Sequence, residues 1–265
     1  MTPSLLTDQL MGWVRAGMAL PGDYRTLPRV SNSDLTRLKE EQLGYTNGKQ
    51  PTARWGAESA SRFGNRAFGK AFHQHLLEPE SVATVLEQLL PDLTNDRLMT
   101  DALGGDLTTD NTPTSLTQTI RHDSFCRRYL RMAERDRVVL FTDPVTQVAC
   151  KARLDLVYTS PKRHNALVLD FKTTSARTQA QFLQSCYDYD YDRQAAFYLD
   201  SLQHADSGEW DTTRRFRFVL VGVTKQAPHR LFAVDATALP GFVDYGRKKY
   251  RFWLKKWQET NGLPD

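Results

Sequence analysis

Two short segments place carboxylates in the middle of otherwise apolar, strand-like sequence. In KARLDLV, Lys151, Arg153 and Asp155 point one way and Ala152, Leu154 and Leu156 the other; in ALVLDFK, Asp170 and Lys172 share a face opposite Leu167, Leu169 and Phe171. A solvated antiparallel face accounts for either strand alone. The pair asks for more. Only the connection TSPKRHN separates them, strands so joined are usually neighbours, and like charges brought within a few ångström are costly unless a cation lies between them. Two carboxylates with a lysine two residues beyond the second are what magnesium-dependent phosphodiester hydrolysis needs. Hard oxygens hold the ion, and an ammonium orients the attacking water or neutralises developing charge. Asp155, Asp170 and Lys172 are therefore the candidate catalytic residues.

Other polar groups lie within apolar patterns. His73 belongs to RFGNRAFGKAFHQHLLEPE, where Phe68, Phe72 and Leu76 recur every four residues, so spacing alone reads it as a core histidine. His75 lies about 200° around that helix and reads as surface. Downstream, Tyr187, Tyr191, Gln194 and Tyr198 are spaced by four, three and four, which puts them on one helical face. An aromatic stripe of this kind is ordinary core packing. The amide of Gln194 is the exception, because a buried amide needs partners. Glu134, in ERDR, reads either as a further acid near the cluster or as a solvated helix end.

The elements that must position these residues follow from period and punctuation. Ser31 or Ser33 caps a helix from about Asp34 to Gln42. YTNGKQPTARWGAE reads as a loop, the His73 helix stops at Pro79, a short helix spans Ser81 to Leu90, and Thr100 to Thr117 reads as a mobile loop. Strands are expected at Arg137–Phe141, Val148–Tyr158 and Asn165–Lys172, then a helix over Ser185–Leu202, a fourth strand in RRFRFVLVGVT, and a helix from Phe242 to Trp257. That order predicts an α/β or α+β sheet flanked by helices.

The whole chain has 265 residues, 40% hydrophobic and 25% charged, which excludes global disorder. A mean hydropathy of −0.53 and the lack of any run of about 20 apolar residues exclude a membrane-spanning role. The opening segment, interrupted by Asp8, Gln9 and Arg15, does not read as a signal peptide, so a cytoplasmic location is expected. Cys126, Cys150 and Cys186 have neither disulfide-framework nor zinc spacing, and are expected to be reduced and buried. The net charge of +4 permits nucleic acid without implying it. It conceals two basic clusters, six arginines between Arg121 and Arg137 and six lysines or arginines between Arg247 and Lys256, either of which could track phosphates. The second, interleaved with aromatics, also fits an amphipathic packing helix with snorkelling lysines.

Asp155 followed by Asp170-Phe171-Lys172 resembles the PD-(D/E)XK nuclease signature, with Leu154 in place of the nominal proline and Asp in place of the commoner Glu. FGKAFHQHLLEPE resembles the helix carrying a histidine in RecB-like and RecE-like exonucleases. LDFKTT and YDYDYDRQAAFYLD resemble their lysine strand and their glutamine- and tyrosine-bearing helix. The likeness is strongest to the RecE (exonuclease VIII) C-terminal nuclease group and extends weakly to VSNSDLTRL and the C-terminal part.

This resemblance implies a restriction-endonuclease-like core, a central mixed β-sheet flanked by helices with N-terminal helical additions. It implies one nuclease domain over residues 1–265, with 1–60 a helix-and-loop lead-in and 61–265 the core. His73, Asp155, Asp170 and the Phe171 main-chain carbonyl become metal ligands, Lys172 the catalytic lysine, and Gln194, Tyr191 and Tyr198 substrate contacts. The implied cofactor is Mg2+, with Mn2+ tolerated through the imidazole, and no zinc or Fe-S cluster. The implied partner is DNA, degraded from an end, with ring-like homo-oligomers and a possible single-strand annealing protein. An endonuclease on the same scaffold and a catalytically silent DNA-binding or assembly module are the alternatives.

Overall fold

The computed structural model describes residues 24–43, 67–77, 111–160, 165–208 and 214–261. The expected loop at 45–58, the helix at 81–90 and residues 100–110 lie outside them. After a 3-10 turn at Tyr24–Thr26 come α1 (Asn32–Gln42), α2 (67–77), α3 (Pro113–His122) and α4 (Ser124–Met132). The chain continues through β1 (Glu134–Thr142), β2 (Ala149–Thr159), β3 (Asn165–Thr174), α5 (Gln179–Asp188), α6 (Tyr191–Gln203), β4 (Arg215–Thr224), β5 (Leu231–Asp235) and α7 (Phe242–Asn261).

The strands form one sheet in the order β1-β2-β3-β4-β5. It is antiparallel except where β4 runs parallel to β3, so the chain between them must cross a face, which it does through α5 and α6. Each face buries its own apolar set. Leu35, Phe182, Ala196, Phe197, Tyr250 and Leu254 from α1, α5, α6 and α7 pack on Val168, Phe218 and Leu220. Phe72, Leu76, Leu116, Ile120, Cys126 and Leu130 from α2, α3 and α4 pack on Leu169, Phe171, Val219 and Val221. The result is helix, sheet, helix in three layers. All three cysteines are buried and unpaired. No helix of the described residues is long and apolar enough to cross a membrane.

The sheet splits. β2 pairs with β3 only from Leu156↔Leu169 to Thr159↔Ala166, whereas β3 stays paired with β4 from Asn165 to Thr174 and β2 with β1 back to Ala149. Asp155 and Asp170 are the next residues of that register, at the point of divergence. The apolar face expected over Ala152, Leu154 and Leu156 divides there as well, since Leu154 joins one core and Leu156 the other.

Several expectations need correction. Residues 113–117 are helical rather than loop: Thr112 and Ser115 form a reciprocal capping box and Pro113 sits at the first helical position. ERDR is neither a helix end nor a loop, because β1 begins at Glu134, whose partner is Val157; pairing with β2 overrides the local polarity. The helix expected over 185–202 is two helices broken at Tyr189 and Asp190, where Asp190 adopts the left-handed conformation (φ 55°). No Gly or Pro marks that break. β5 was not expected; its five residues, LFAVD, form a short edge strand on β4. α1 is as expected, with Ser31 capping and Asp34 returning the bond.

Candidate functional site

A cleft of about 1060 Å³ opens at the split, between α1, α2, the start of α6 and the strands β1 to β3. Asp155 stands where its strand has left β3, and its Oδ2 accepts the Phe171 N–H at 2.9 Å, replacing the missing ladder partner. Within a strand the N–H and C=O of one residue leave toward the same edge, so the Phe171 carbonyl faces the same gap. His73, on α2, brings Nδ1 to 3.3 Å from Asp155 Oδ2, while its neighbours Phe72 and Leu76 anchor the helix in the core beneath.

Asp170, only 1% exposed, accepts the Gln194 amide at 3.0 Å on Oδ1 and has the Lys172 ammonium 2.5 Å from Oδ2. That contact is an ion pair poorly aligned for a hydrogen bond, and Oδ2 has no other partner. Lys172 rests over the Tyr191 ring, 4.9 Å from its centroid. Tyr198 lies one helical turn beyond Gln194 and lines the same cleft. The α6 face carrying 191, 194 and 198 therefore backs the strand residues, and all seven side chains expected at the site border this one cleft.

Electrostatics follow from burial with few partners. Desolvation lifts the Asp170 carboxyl to about 6 against the pull of Lys172, and lifts Asp155 as well. Burial, with Lys172 nearby, lowers His73 to about 4, so its imidazole is neutral at pH 7 and keeps a lone pair. Burial alone would lower Lys172, but Asp170, Tyr191 and Asp155 outweigh it and hold the lysine well above its ordinary value.

Two carboxylates, a carbonyl and a neutral imidazole are donors suited to magnesium or manganese, and the under-bonded Asp170 Oδ2 is an oxygen that a cation would satisfy. Among the described residues no three His, Cys, Asp or Glu side chains close around a point by themselves. The carbonyl and water would have to complete a shell.

Three residues weighed from the sequence fall elsewhere. Glu134 is exposed and pairs with Arg137 at 2.7 Å rather than reaching the cleft. Tyr187 belongs to α5 and packs edge-on against Phe242, because the break at Asp190 removes it from the α6 stripe. His75 is half-buried away from the cleft, and its carbonyl accepts from Arg121. Conversely, Asp136 does line the cleft, in a left-handed backbone conformation (φ 50°) and 3.5 Å from Arg153. Arg37, Lys70 and Arg193 line it too. A polar residue beside the expected strand was the only signal for Asp136.

The two basic stretches also part company. On α7 four of the six basic residues are paired: Arg247 with Asp200 and Asp244, Lys249 with Asp190 and Asp192, Arg251 with Asp143, Lys256 with Glu259. Lys248 and Lys255 are exposed, so the helix is in large part the packing element that the sequence also allowed. On α4, Arg127, Arg128 and Arg131 are exposed with no carboxylate partner among the described residues, beside the exposed Phe125 and Met132.

A mixed five-stranded sheet between helical layers, with two acids and a lysine at its split, is the restriction-endonuclease-like architecture of PD-(D/E)XK nucleases. The chain belongs to the family described as PDDEXK-like domain of unknown function (DUF3799), whose model matches residues 52–261. Among solved structures it is similar to a candidate exonuclease from Eubacterium rectale, at 12% identity and a TM-score of 0.40, over 82% of this chain and 89% of that one. It is also similar to the protein SSO0001, at 12% identity and a TM-score of 0.31, over 94% and 86%. Overlap that loose fixes neither fold nor activity. Comparison with curated proteins finds no match.

Proposed function

We propose that this chain is a divalent-metal-dependent deoxyribonuclease, a single catalytic domain that hydrolyses phosphodiester bonds of linear duplex DNA from an end. The RecE-like mode, magnesium as the ion, a ring-like oligomer, an annealing partner and a place in recombination or repair come with the resemblance. The observation that carries the reading is the meeting of Asp155 and Asp170 at the sheet split, with Lys172 paired to Asp170.

A divalent ion held by Asp155, Asp170, the Phe171 carbonyl and His73 would supply Lewis-acid polarisation of the phosphoryl oxygen and a more acidic water. Lys172, held above its usual range, stays an ammonium at pH 7. It orients the attacking water and offsets developing charge, and cannot act as the base. Gln194 fixes the Asp170 carboxylate through Oδ1, and Tyr191 keeps the ammonium over the cleft. We read the exposed cations of α4, which lie outside the cleft lining, as further contacts to DNA phosphates.

The test is cleavage of linear and closed circular duplex DNA with magnesium or manganese, by the native chain and by Lys172→Ala. Loss of one such charge-stabilising donor is expected to lower the rate by about 10²–10³-fold. Equal rates for both proteins, or no cleavage with either metal, would overturn the enzyme reading. Cutting of the closed circle would replace the exonuclease with an endonuclease.

A further inference from the structure

We propose that Tyr189 is a nucleobase platform at the mouth of the cleft, on which an unpaired base beside the reacting phosphate stacks. This rests on the nuclease reading above and deepens it by naming the form of substrate, a strand end that is frayed or single-stranded.

Tyr189 is 70% exposed, yet it borders the cleft. Its ring lies 5.9 Å from that of Tyr191 at 32°, and Tyr191 in turn carries Lys172 at 4.9 Å. One aromatic ring thus separates the exposed one from the reacting centre. The other tyrosine of the α5 end shows the contrast: Tyr187 uses its ring to pack on Phe242. Tyr189 has no such burial, and among the described residues its one ring contact is the tilted one to Tyr191 in the cleft wall.

The corner that presents it is held firmly. The Tyr189 N–H closes α5 on the Ser185 carbonyl at 3.0 Å, and the next residue turns the chain through left-handed space. A non-glycine residue stays there only when its surroundings over-determine it. Here they do: the Asp190 carboxylate receives Lys39 of α1 at 2.5 Å, Lys249 of α7 at 3.0 Å and Arg193 of α6 at 3.9 Å. Cations from three helices therefore fix the backbone on which the ring is mounted. A tyrosine has few rotamers to lose, and every base offers a π-face, so an anchored exposed ring at the mouth of the cleft suits a base without selecting its identity. Arg25, Arg37 and Lys70 line the same cleft, Arg37 paired with Asp34 at 2.9 Å, and supply positive charge for the strand that would bring the base there.

The experiment uses DNA carrying 2-aminopurine at an unpaired terminus. On binding to the uncut-substrate protein Lys172→Ala, fluorescence should be quenched, the quench should persist when Tyr189→Phe is added, and it should be lost with Tyr189→Ala. In cleavage by otherwise native protein, Tyr189→Ala should raise KM about tenfold for a frayed end and leave kcat within about twofold. An abasic residue at the flanking position should lower native performance to the Tyr189→Ala level, and the two losses should not add. Unchanged quenching in Tyr189→Ala, or additive losses, would overturn the proposal. Quenching that depends on Tyr189 in a protein that cuts nothing with either metal would instead keep the platform and remove the nuclease.

Discussion

Helix α6 separates two buried groups of carboxylates that look alike in composition and behave oppositely. On one side Asp143 and Asp200, 0% and 1% exposed, sit among donors. Asp143 accepts the Thr146 N–H and hydroxyl and the Arg251 guanidinium, and Asp200 accepts two N–H groups of Arg247; the one proton of the Tyr250 hydroxyl lies between them, its oxygen 2.9 Å from Asp143 and 2.6 Å from Asp200. On the other side Asp170 is buried as deeply, with one amide and one misaligned ammonium. Burial raises both Asp143 and Asp170, but the donors around Asp143 bring it below its ordinary value, while Asp170 ends near 6. Depth of burial therefore does not distinguish architecture from chemistry. The number and aim of the donors do.

The contrast is open to attack from both sides. The largest effect is expected for Asp200→Ala, which removes the buried carboxylate that receives two N–H groups of Arg247 and leaves the Tyr250 hydroxyl with Asp143 alone. It should lower unfolding free energy by about 2–3 kcal/mol in urea titrations. The corresponding change in the site, Asp170→Asn, removes a carboxylate that burial raises but also the ion-pair partner of Lys172, and should lower stability of the metal-free protein by less than Asp200→Ala does, while abolishing cleavage. Equal destabilisation by the two substitutions would erase the distinction.

Acid should separate the clusters next. A carboxyl raised above its unfolded value disfavours folding once ionised, so the Asp170 contribution to stability improves as pH falls from above 6 toward 4. Over that interval protons compete with metal at the same oxygen, and affinity measured calorimetrically should weaken by up to about tenfold per pH unit below 6. Asp143, held low, contributes stability that is present above about 4 and lost only as pH falls below it.

The smallest effect concerns the two basic stretches. Removing Arg127, Arg128 and Arg131 together should reduce the salt dependence of DNA binding by roughly three phosphate contacts, with little change in melting temperature. Lys249→Ala should do the reverse, because its ammonium is committed to Asp190 and Asp192.

What the sequence reveals is local. The alternation around Asp155 and Asp170, the capping box of α1 and the Tyr191, Gln194, Tyr198 face are short-range patterns, and the folded chain keeps them. The split of the sheet is not local, since it depends on where β2 stops pairing with β3, and no residue type marks that point. Similarly, α7 reads as a nucleic-acid track until its partners are known, and Asp143, Asp190, Asp192 and Asp200 lie about 50 to 110 positions away in the chain. The corner at Tyr189 and Asp190 escaped because long-range ion pairs, rather than glycine, hold its left-handed turn.

At Asp155 the joint between the two leaves of the sheet is closed by a side chain instead of by backbone. A backbone rung cannot titrate, but this one can. Whatever changes the charge on Asp155 therefore also changes the bond that ties β2 to β3 at Phe171.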